Sequence, residues 1–396
     1  MRILHVVPSY LPAVRYGGPI QSVHGLCRAL AARGNDVHVF ATNVDGPYDS
    51  AVPLEQPVEL DGVRVWYFPS KRLRRLFWSP PLKRALEREL PGFDLAHLHS
   101  VFLWPTWAAA RAAGRLGVPY VVAPRGMLVR DLIRRRSWLV KSLWLALIER
   151  GNLEGASAVH ATSEIEATEL RAFGWRLPPV HIVPNGIDPA DATAATAAPS
   201  PAVARVLAGG PYVLFLGRLS WKKRLDRLID AMKDVPGVRL VIAGNDDEGV
   251  LPALRRWIEE AGLTERTALL PFYVTGADKR ALLEGAQVFA MPSLSENFGI
   301  AALEAMAAGC PPVMTEGVGL STDVGRAHAG LVVAEADLSR AIGRLVGDEG
   351  LRRALGANAR RFALERFGWD RIAGEMEAVY RGLIHPGRQA GLESCT

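Results

Sequence analysis

The stretch "QVFAMPSLSENFGIAALEA", residues 287–305, contains the pattern from which the fold follows. A short apolar run ends at Pro292, a polar loop follows it, and the small and apolar residues after Gly299 predict a buried helix. Glu296 lies in the loop and Glu304 lies eight positions later, in the helix. A buried strand that leads through a glycine-containing loop into a helix is the repeating unit of a parallel α/β sheet.

The same pattern recurs on both sides of this stretch. In the first half, apolar runs span 2–8, 36–42, 63–69, 93–100, 119–124, 157–163 and 180–186. In the second half, they span 212–219, 238–244, 267–272, 287–293 and 311–316. Continuous apolar strands that alternate with helices indicate parallel sheets covered on both faces. Two such series predict two doubly wound, Rossmann-like α/β domains.

The expected domain borders follow from length and composition. A chain of 396 residues is too long for one ordinary core, and the segment 188–204 is rich in Ala, Thr and Pro without helical or strand period. We expect an N-terminal domain over 1–189, a linker over 190–210, a C-terminal domain over 211–370, and a C-terminal helix and tail over 371–396 that return toward the N-terminal domain.

Several classes of protein are disfavoured. The three cysteines, Cys27, Cys310 and Cys395, offer neither zinc spacing nor a disulfide framework, which fits a reducing cytosol. The start "MRILHVVPSY" predicts a strand and not a signal peptide, and no apolar run is long enough to span a membrane. The chain has no D-x-D pair, so nothing argues for a metal ion that bridges a diphosphate.

The charge is unevenly distributed. Residues 1–190 contain 23 Lys and Arg against 16 Asp and Glu, whereas residues 191–396 contain 24 against 25. The basic first half indicates an acidic partner: a phosphate-bearing substrate, an anionic lipid or a nucleic acid. Two basic, aromatic stretches, 71–84 and 130–150, favour contact with an anionic membrane surface. For 130–150 the alternative is a helix packed on the core of the protein, with its arginine side chains reaching the solvent.

The loop after residues 212–217 concentrates positive charge. Arg218, Lys222, Lys223 and Arg224 precede a helix, and a helix start already favours anions through its free N–H groups and its dipole. We therefore expect an anion site there. The alternative is a solvated basic turn.

The loop at 295–300 has the complementary chemistry. Gly299 permits close approach of a ligand, and the N–H groups of Phe298, Gly299 and Ile300 can face it. Glu296 and Glu304 are suited to accept hydrogen bonds from sugar or ribose hydroxyls. Alternatively, Glu296 interacts with the helix dipole and Glu304 pairs with a neighbouring cation. That alternative is weaker for Glu304, whose sequence neighbours are small and apolar.

Features of the first half are less specific. Gly17 and Gly18 precede a helix and suit either a phosphate loop or an ordinary loop. The absence of G-x-G-x-x-G after the first strand argues against a dinucleotide-binding oxidoreductase. His97 and His99 lie on one face of a strand end, and without a third ligand we expect His97 to have a structural hydrogen bond.

Together these motifs resemble the GT-B glycosyltransferases of family 4, retaining enzymes that move a sugar from a nucleotide diphosphate. "ENFGIAALE" (296–304) resembles the E-x7-E motif of that family, and "GRLSWKK" (217–223) resembles its diphosphate-binding segment. "VPNGID" (183–188) is similar to its interdomain junction, and the glycines at 17–18 to its N-terminal phosphate loop. The resemblance covers nearly the whole chain and implies two Rossmann-like domains that face a central cleft.

The resemblance also implies roles for individual residues. Arg218 and Lys223 hold the diphosphate, Glu304 binds the ribose and Glu296 binds the transferred sugar. The remaining donor-binding residues implied by the family are Gly17, Gly18, Phe272, Tyr273, Asn297, Phe298, Gly299 and Ile300. Of these, Phe272 and Tyr273 are expected near the base, and Gly18 closes over the diphosphate from the other domain.

Two positions depart from the family pattern. Arg224 stands where the family often has glycine, and Arg125, in "APRGML" (123–128), stands where it usually has histidine. Arg125 can donate hydrogen bonds or supply a charge, but it cannot act as a base at neutral pH. It is compatible with a different sugar, such as one with a carboxylate or one without the usual hydroxyl, or with a changed role of this position. His99 is a candidate substitute for the missing histidine. The catalytic candidates are Glu296, Arg218 and Lys223, with Arg125 and His99 added.

The implied activity is retaining transfer of a sugar, with a UDP-sugar favoured, to a saccharide or lipid-linked acceptor in polysaccharide or lipopolysaccharide assembly. No metal, other cofactor or nucleic acid is expected. The expected location is the cytoplasm, on the inner face of the cell membrane. The rival functions are another GT-B enzyme, namely an epimerase or a phosphorylase, and a non-catalytic protein that binds anionic membranes or nucleic acid.

Overall fold

The structure is a computed structural model that describes residues 1–13, 15–130, 133, 138–188 and 198–384, and for Trp138 and Val140 it describes the backbone alone. The chain forms two compact units. The first contains residues 1–186 and the C-terminal segment from Trp369, and the second contains residues 187–368.

The first unit is built on an eight-stranded sheet. The strands of this sheet are β1 (Arg2–Ser9), β2 (Asp36–Thr42), β5 (Pro57–Leu60), β6 (Val63–Phe68), β7 (Leu95–His99), β8 (Tyr120–Ala123), β9 (Ala158–Ala161) and β10 (Val180–Ile182). A separate two-stranded ribbon consists of β3 (Val44–Asp45) and β4 (Tyr48–Asp49). The strand order is β10-β9-β8-β7-β1-β2-β6-β5, and all neighbours are parallel except β5 and β6. The central strands are buried on both faces, as their continuous apolar sequences predict.

Helices follow most of these strands. They are α1 (Gly18–Ala32), α2 (Pro80–Glu89), α3 (Trp104–Leu116), α4 (Trp138–Trp144), α5 (Arg150–Glu154) and α6 (Glu164–Arg171). A π-helical turn, Leu145–Glu149, connects α4 to α5.

The second unit is built on six parallel strands in the order β13-β12-β11-β14-β15-β16. These are β11 (Tyr212–Leu216), β12 (Arg239–Ala243), β13 (Thr267–Leu270), β14 (Val288–Met291), β15 (Pro312–Thr315) and β16 (Leu331–Val333). The helices are α7 (Pro201–Ala208), α8 (Leu225–Met232), α9 (Leu251–Glu260), α10 (Gly276–Gly285), α11 (Ile300–Ala307), α12 (Ser321–Arg326), α13 (Leu338–Gly347) and α14 (Glu349–Arg366).

Each sheet has a point at which the strand order reverses. In the first unit β1 lies between β2 and β7, and in the second unit β11 lies between β12 and β14. The loops that follow such neighbouring strands diverge and leave a crevice at the carboxyl edge of the sheet, where open α/β sheets bind ligands.

The last helix, α15 (Trp369–Ile384), belongs to the first unit and packs against α1. Arg33, at the end of α1, donates to Asp370 (2.6 Å) and Glu377 (3.2 Å) of α15. Gly25 of α1 lies against the indole of Trp369, and a Cβ at position 25 would overlap that ring.

The α/β prediction is confirmed, and every predicted apolar run contains a strand. Three differences concern short or irregular segments. The strands β5 and β16 and the ribbon of β3 and β4 were not predicted, because each is short and lies outside the apolar runs. Residues 201–208 of the expected linker form α7, and the second unit begins at Ile187. Residues 190–197 of the linker and 385–396 of the tail lie outside the described residues.

None of the helices in the described part of the chain has the length and apolar character that crossing a bilayer requires.

The contact between Gly25 and Trp369 can be tested by substitution. We expect Gly25→Ala to lower the free energy of unfolding by about 1–3 kcal/mol, because the added methyl group must displace the indole. Gly114→Ala is the matched control: Gly114 lies in α3 and has open space where its Cβ would stand. This control should be neutral or stabilising by up to about 1 kcal/mol. Urea unfolding measures both, and equal effects would contradict the packing.

Candidate active site

The loops after β11 and β14 meet at the reversal point of the second sheet. The N–H of Leu294, in the loop after β14, donates to the carbonyl of Lys222, in the loop after β11 (2.8 Å). Thr315, at the end of β15, donates its hydroxyl to the carbonyl of Ser293 (2.6 Å). These bonds hold three strand-end loops together.

Lys223 is the central cation of this site. Its ammonium group contacts the carboxylate of Glu296, and the side chains are only 14 % and 24 % exposed. Burial and the neighbouring cations Arg218 and Lys222 lower the pKa of Lys223 to about 7, and the Glu296 contact acts in the opposite direction. Arg218 is exposed and has no ion pair with any described residue. The two residues form a cationic site with one buried and one accessible member.

Arg224 does not belong to this cationic site, which corrects the sequence-based grouping. It adopts a left-handed backbone conformation (φ 50°), and its guanidinium donates to Glu335 (2.7 Å) and to Asp226 (3.2 Å). Its charge is therefore balanced within the protein. The left-handed conformation is also one that glycine adopts without strain, which accounts physically for glycine at the family's equivalent position.

The loop that contains Glu296 is braced by the loop after β15. Glu296 donates its N–H to the carbonyl of Gly317 (2.9 Å) and accepts from the N–H of Gly319 (2.8 Å). Gly299 then begins α11 with φ 100°, and a Cβ there would lie 2.9 Å from Cγ1 of Val318. Both the conformation and the close approach require glycine at this position.

The start of α11 has hydrogen-bond donors to spare. The N–H groups of Phe298, Gly299 and Ile300 have no hydrogen-bond partner among the described residues. Helix N-termini with free N–H groups attract anions, and here the cationic site lies on the adjoining loop. This arrangement can bind a diphosphate or another multiply charged anion.

Glu304 lies on α11 and pairs with Lys279 of α10 at 2.6 Å, with side chains 26 % and 33 % exposed. It is therefore partly accessible and not isolated among apolar groups. The ion pair that the sequence analysis weighed as the weaker alternative is present, and Lys279 is the partner that sequence reasoning did not identify. The pair remains open enough for a ligand hydroxyl to reach the carboxylate.

The other expected donor-binding residues lie at strand ends. Phe272 and Tyr273 follow β13 and are each 39 % exposed. Gly17 follows the loop after β1 with φ 68° and has open space where a Cβ would stand, and Gly18 begins α1. Donor-binding roles for these residues stay predictions.

In the first unit, Arg125 and His99 come together at the carboxyl edge of the sheet. Arg125 follows β8 with φ 57° and is 8 % exposed. It donates to Oδ1 of Asn185 (2.9 Å) and to Nδ1 of His99 (3.1 Å). Arg125 is thus a buried cation that is held by two neutral acceptors. Sequence reasoning assigned no role to one of them, Asn185, which lies in the junction motif 183–188.

The histidines beneath Arg125 form two hydrogen-bonded chains. Because arginine only donates, His99 accepts at Nδ1 and donates from Nε2 to Nδ1 of His5 (2.9 Å). The Nε2–H of His5 has no partner among the described residues. In the second chain the hydroxyl of Tyr380 donates to His97 (2.7 Å), which donates to His160 (3.3 Å), which donates to the carbonyl of Val183 (2.8 Å). His97 therefore has the structural hydrogen bonds that were expected for it.

These histidines are neutral. Burial lowers the pKa of His5 and of His160 to about 3, with the Arg125 charge as a further cause, and burial also lowers the pKa of His97 and of His99. His99 can accept or donate a hydrogen bond through its ring but is already committed to Arg125 and His5. A role for His99 as the general base is not favoured by this arrangement.

Within the described ranges, one group of side chains has the spacing of a metal site: His5, His97 and His99 offer ring nitrogens within 4.8 Å of one another. Parallel pairing of β1 and β7 sets His5 directly opposite His97, which supplies the third histidine that sequence reasoning lacked. Both ring nitrogens of His97 and of His99, and Nδ1 of His5, are used in the two chains, and the Arg125 cation opposes a metal ion. The donor set therefore favours a hydrogen-bonded network.

Two family models match this chain. "Glycosyltransferase Family 4" matches residues 16–191, and "Glycosyl transferases group 1" matches residues 202–362. The two matches divide the chain close to the border between its two units.

Similar proteins extend over nearly the whole chain. The D-inositol 3-phosphate glycosyltransferase of Xylanimonas cellulosilytica is 30 % identical over 92 % of this chain and 91 % of its own length. Among solved structures, sucrose-phosphate synthase from Thermosynechococcus elongatus has a TM-score of 0.76 at 24 % identity, covering 97 % of this chain and 99 % of that one. HepE of Anabaena, in complex with UDP and glucose, has a TM-score of 0.74 at 21 % identity, covering 96 % and 99 %.

The structural likenesses show the fold, and the two family models and the 30 % identical relative show the family. The two parallel sheets with their reversal points agree with both. The chain is a glycosyltransferase of the GT-B fold and belongs to the group 1 and family 4 glycosyltransferases.

Proposed function

We propose that this glycosyltransferase transfers a sugar, with retention of configuration, from a UDP-sugar to a saccharide or lipid-linked acceptor in the assembly of a cell-surface polysaccharide. The observation that carries the proposal is a set of N–H groups, at Phe298, Gly299 and Ile300, without a partner in the part of the chain that the structure describes. They lie on a loop that is hydrogen-bonded to the loop of Arg218 and Lys223. Donors and cations converge at the reversal point of a parallel sheet, where a nucleotide diphosphate is bound most favourably.

Each residue has a distinct part in donor binding. Lys223 and Arg218 neutralise the diphosphate, and the free N–H groups at the start of α11 donate to its oxygens. Glu296 accepts from hydroxyls of the transferred sugar, and Glu304 accepts from the ribose. Before the donor binds, the contact between Lys223 and Glu296 holds both side chains in place. When the donor binds, the diphosphate becomes the partner of Lys223 and the sugar becomes the partner of Glu296.

The chemistry follows from where charge develops. As the bond between the sugar and the diphosphate breaks, negative charge grows on the leaving oxygen, and the fixed cations and N–H groups stabilise it. These groups take the part that a metal ion has in other transferases. The acceptor hydroxyl attacks from the same face, and the leaving oxygen takes its proton, so no strong enzymic base is required.

UDP is the donor nucleotide favoured here. HepE, whose fold this chain shares, was solved with UDP and glucose, and this supports testing UDP-glucose first. Phe272 and Tyr273 provide exposed aromatic surface at the end of β13 against which a base can stack.

The pKa of Lys223 gives a pH test of donor binding. Lys223 binds the diphosphate only when protonated, so the dissociation constant of UDP should rise by up to about tenfold per pH unit above pH 7. Isothermal titration calorimetry between pH 7 and pH 9 measures this, and the same titration with Lys223→Arg corrects for the ionisation of UDP itself, because its terminal phosphate and its uracil titrate near the two ends of this range.

The matched variant is Lys223→Arg, which stays cationic over this range and should bind UDP with little dependence on pH. Lys223→Met should bind weakly at every pH. An identical pH profile for wild type and Lys223→Arg would contradict the role of Lys223. Failure of wild type to bind or slowly hydrolyse any UDP-, GDP- or ADP-sugar would contradict the donor proposal itself.

The acceptor proposal rests on an exposed apolar face. Leu139, Leu143 and Leu147, four residues apart on α4 and the π-helical turn, are 64 %, 61 % and 72 % exposed. The apolar side chains of the stretch 130–150 therefore lie in two environments: Ile133 is buried in the core, and the three leucines are exposed to solvent. The side chains of Trp138 and Val140, and residues 131–132 and 134–137, lie outside the described residues.

Basic residues occur near this face in sequence. Lys141 lies between Leu139 and Leu143 but on the opposite side of the helix, with its ammonium 6.0 Å from the ring centre of Phe102. In the other stretch, Leu73 is 63 % exposed between exposed Lys71 and Arg72 on one side and Arg74 on the other. The stretches share a hydrophobic cluster through Trp78 and Leu145. Exposed leucines with neighbouring cations suit the surface of an anionic membrane, and we propose the inner face of the cell membrane.

Vesicle binding tests this surface. Replacing Leu139, Leu143 and Leu147 together by glutamine should weaken partitioning onto phosphatidylglycerol-containing vesicles by more than about tenfold, because three apolar side chains no longer enter the interface. Leu116→Gln, at an exposed leucine of α3, is the control and should leave partitioning unchanged. Cosedimentation measures both. Binding that ignores the phosphatidylglycerol content, or survives the triple substitution, would contradict the proposal.

A further inference from the structure

Arg125 has more hydrogen-bond donors than the described residues satisfy. Its guanidinium offers five N–H groups, and the recorded acceptors are Oδ1 of Asn185 and Nδ1 of His99. The Nε–H is buried and has no partner among the described residues. Buried polar groups are nearly always paired, so unused donors on a side chain 8 % exposed indicate a missing acceptor.

Arg125 also has no ion pair with a carboxylate among the described residues. The neutral rings of His99, His5, His97 and His160 lie close enough to Arg125 for its charge to lower their pKa values. Glu166 is the carboxylate that acts on it electrostatically, but it forms no ion pair with Arg125 among the described residues. The two oxygens of Glu166 instead accept from the N–H of Gly126 (2.6 Å) and from the N–H and hydroxyl of Thr162 (2.7 and 2.9 Å).

The backbone around Arg125 is held in an uncommon conformation. Arg125 has φ 57°, and on the neighbouring loop after β7 Ser100 and Phe102 have φ 73° and 62°. Left-handed residues other than glycine persist only where surrounding contacts impose them, and they concentrate at ligand sites. Two buried carboxylates impose them here: Glu166 binds the N–H of Gly126, and Glu149 binds the N–H of Phe102 (2.6 Å).

We propose that Arg125 is the anchor of an oxyanion subsite, in which its unused N–H groups bind a carboxylate or phosphate carried by a sugar substrate. The proposal rests on the proposed function, since it assigns a charged saccharide to that transferase. A planar guanidinium pairs with either oxyanion through two parallel hydrogen bonds, whereas an imidazole at the same position offers one. Arg125 thereby selects among substrates, and His99 and Asn185 position its guanidinium.

The oxyanion that Arg125 binds has two possible sources, a carboxylate on the donor sugar or a phosphate on the acceptor. Two matched pairs of probes distinguish these sources. The first pair is UDP-glucuronate and UDP-glucose, and the second is inositol 3-phosphate and inositol. Binding of each is measured by calorimetry with wild type, Arg125→Gln, Arg125→Lys and the exposed control Arg171→Gln. UDP alone is measured with every variant to verify folding and the nucleotide site.

We expect wild type and Arg171→Gln to prefer the charged member of one pair by about tenfold or more, the worth of one charge-assisted pair of hydrogen bonds. Arg125→Gln should lose that preference, and Arg125→Lys should retain only part of it, since an ammonium cannot make the paired bonds. Preference within the first pair assigns the oxyanion to the donor, and preference within the second pair assigns it to the acceptor.

No preference in either pair, or a preference unchanged in Arg125→Gln, overturns the subsite. If Arg125→Gln does not fold, the comparison of wild type with Arg125→Lys decides in the same way. The proposed function fails on a different measurement, the absence of UDP and UDP-sugar binding to wild type. In that case the inositol pair still tests Arg125.

Discussion

A parallel strand cannot connect directly to its neighbour, and this constraint creates both candidate sites of the molecule. Where the strand order reverses, between β11 and β14 and between β1 and β7, consecutive connections depart to opposite sides of the sheet. The loops at the carboxyl edge must then be held by each other and not by the sheet. In the second unit this is done by the bond from Leu294 to Lys222 and by the braces at Gly317 and Gly319. The chemistry of the site is therefore carried by loops whose positions are fixed by backbone hydrogen bonds.

The two units treat buried charge differently. In the second unit both acids of the E-x7-E motif pair with a lysine, Lys223 for Glu296 and Lys279 for Glu304, and the exposed Arg218 has no ion pair with any described residue. A ligand with both charges and hydroxyls can exchange with these partners at small net electrostatic cost. In the first unit the acceptors that the described residues offer to Arg125, Asn185 and His99, are both neutral. The acids of the one site are paired with lysines, whereas the cation of the other has no carboxylate among its hydrogen-bond partners in the described residues.

The parts of this structure that could be predicted are those encoded locally. Continuous apolar runs specified the strands, and the glycine at 299 marked the start of α11, because period and conformational freedom are properties of a few adjacent residues. The partnership of Glu304 with Lys279, 25 residues away on another helix, depends on packing that no local pattern encodes. The meeting of His5 with His97 depends on the register of two strands 92 residues apart. Arg224 was grouped wrongly because its left-handed backbone turns its side chain to Glu335.

The buried histidines have a consequence for the pH range in which the first unit is folded. In the unfolded chain each imidazole has a pKa near 6.5, whereas burial lowers the pKa of His5 and of His160 to about 3 in the folded state. Between these pKa values the unfolded chain binds protons that the folded chain does not bind, so the free energy of unfolding falls as the pH falls. Between pH 6.5 and about 3, each such histidine lowers the free energy of unfolding by about 1.4 kcal/mol for each pH unit, and this loss is absent above pH 6.5. The four buried histidines therefore set a lower limit to the pH range in which the first unit is stable.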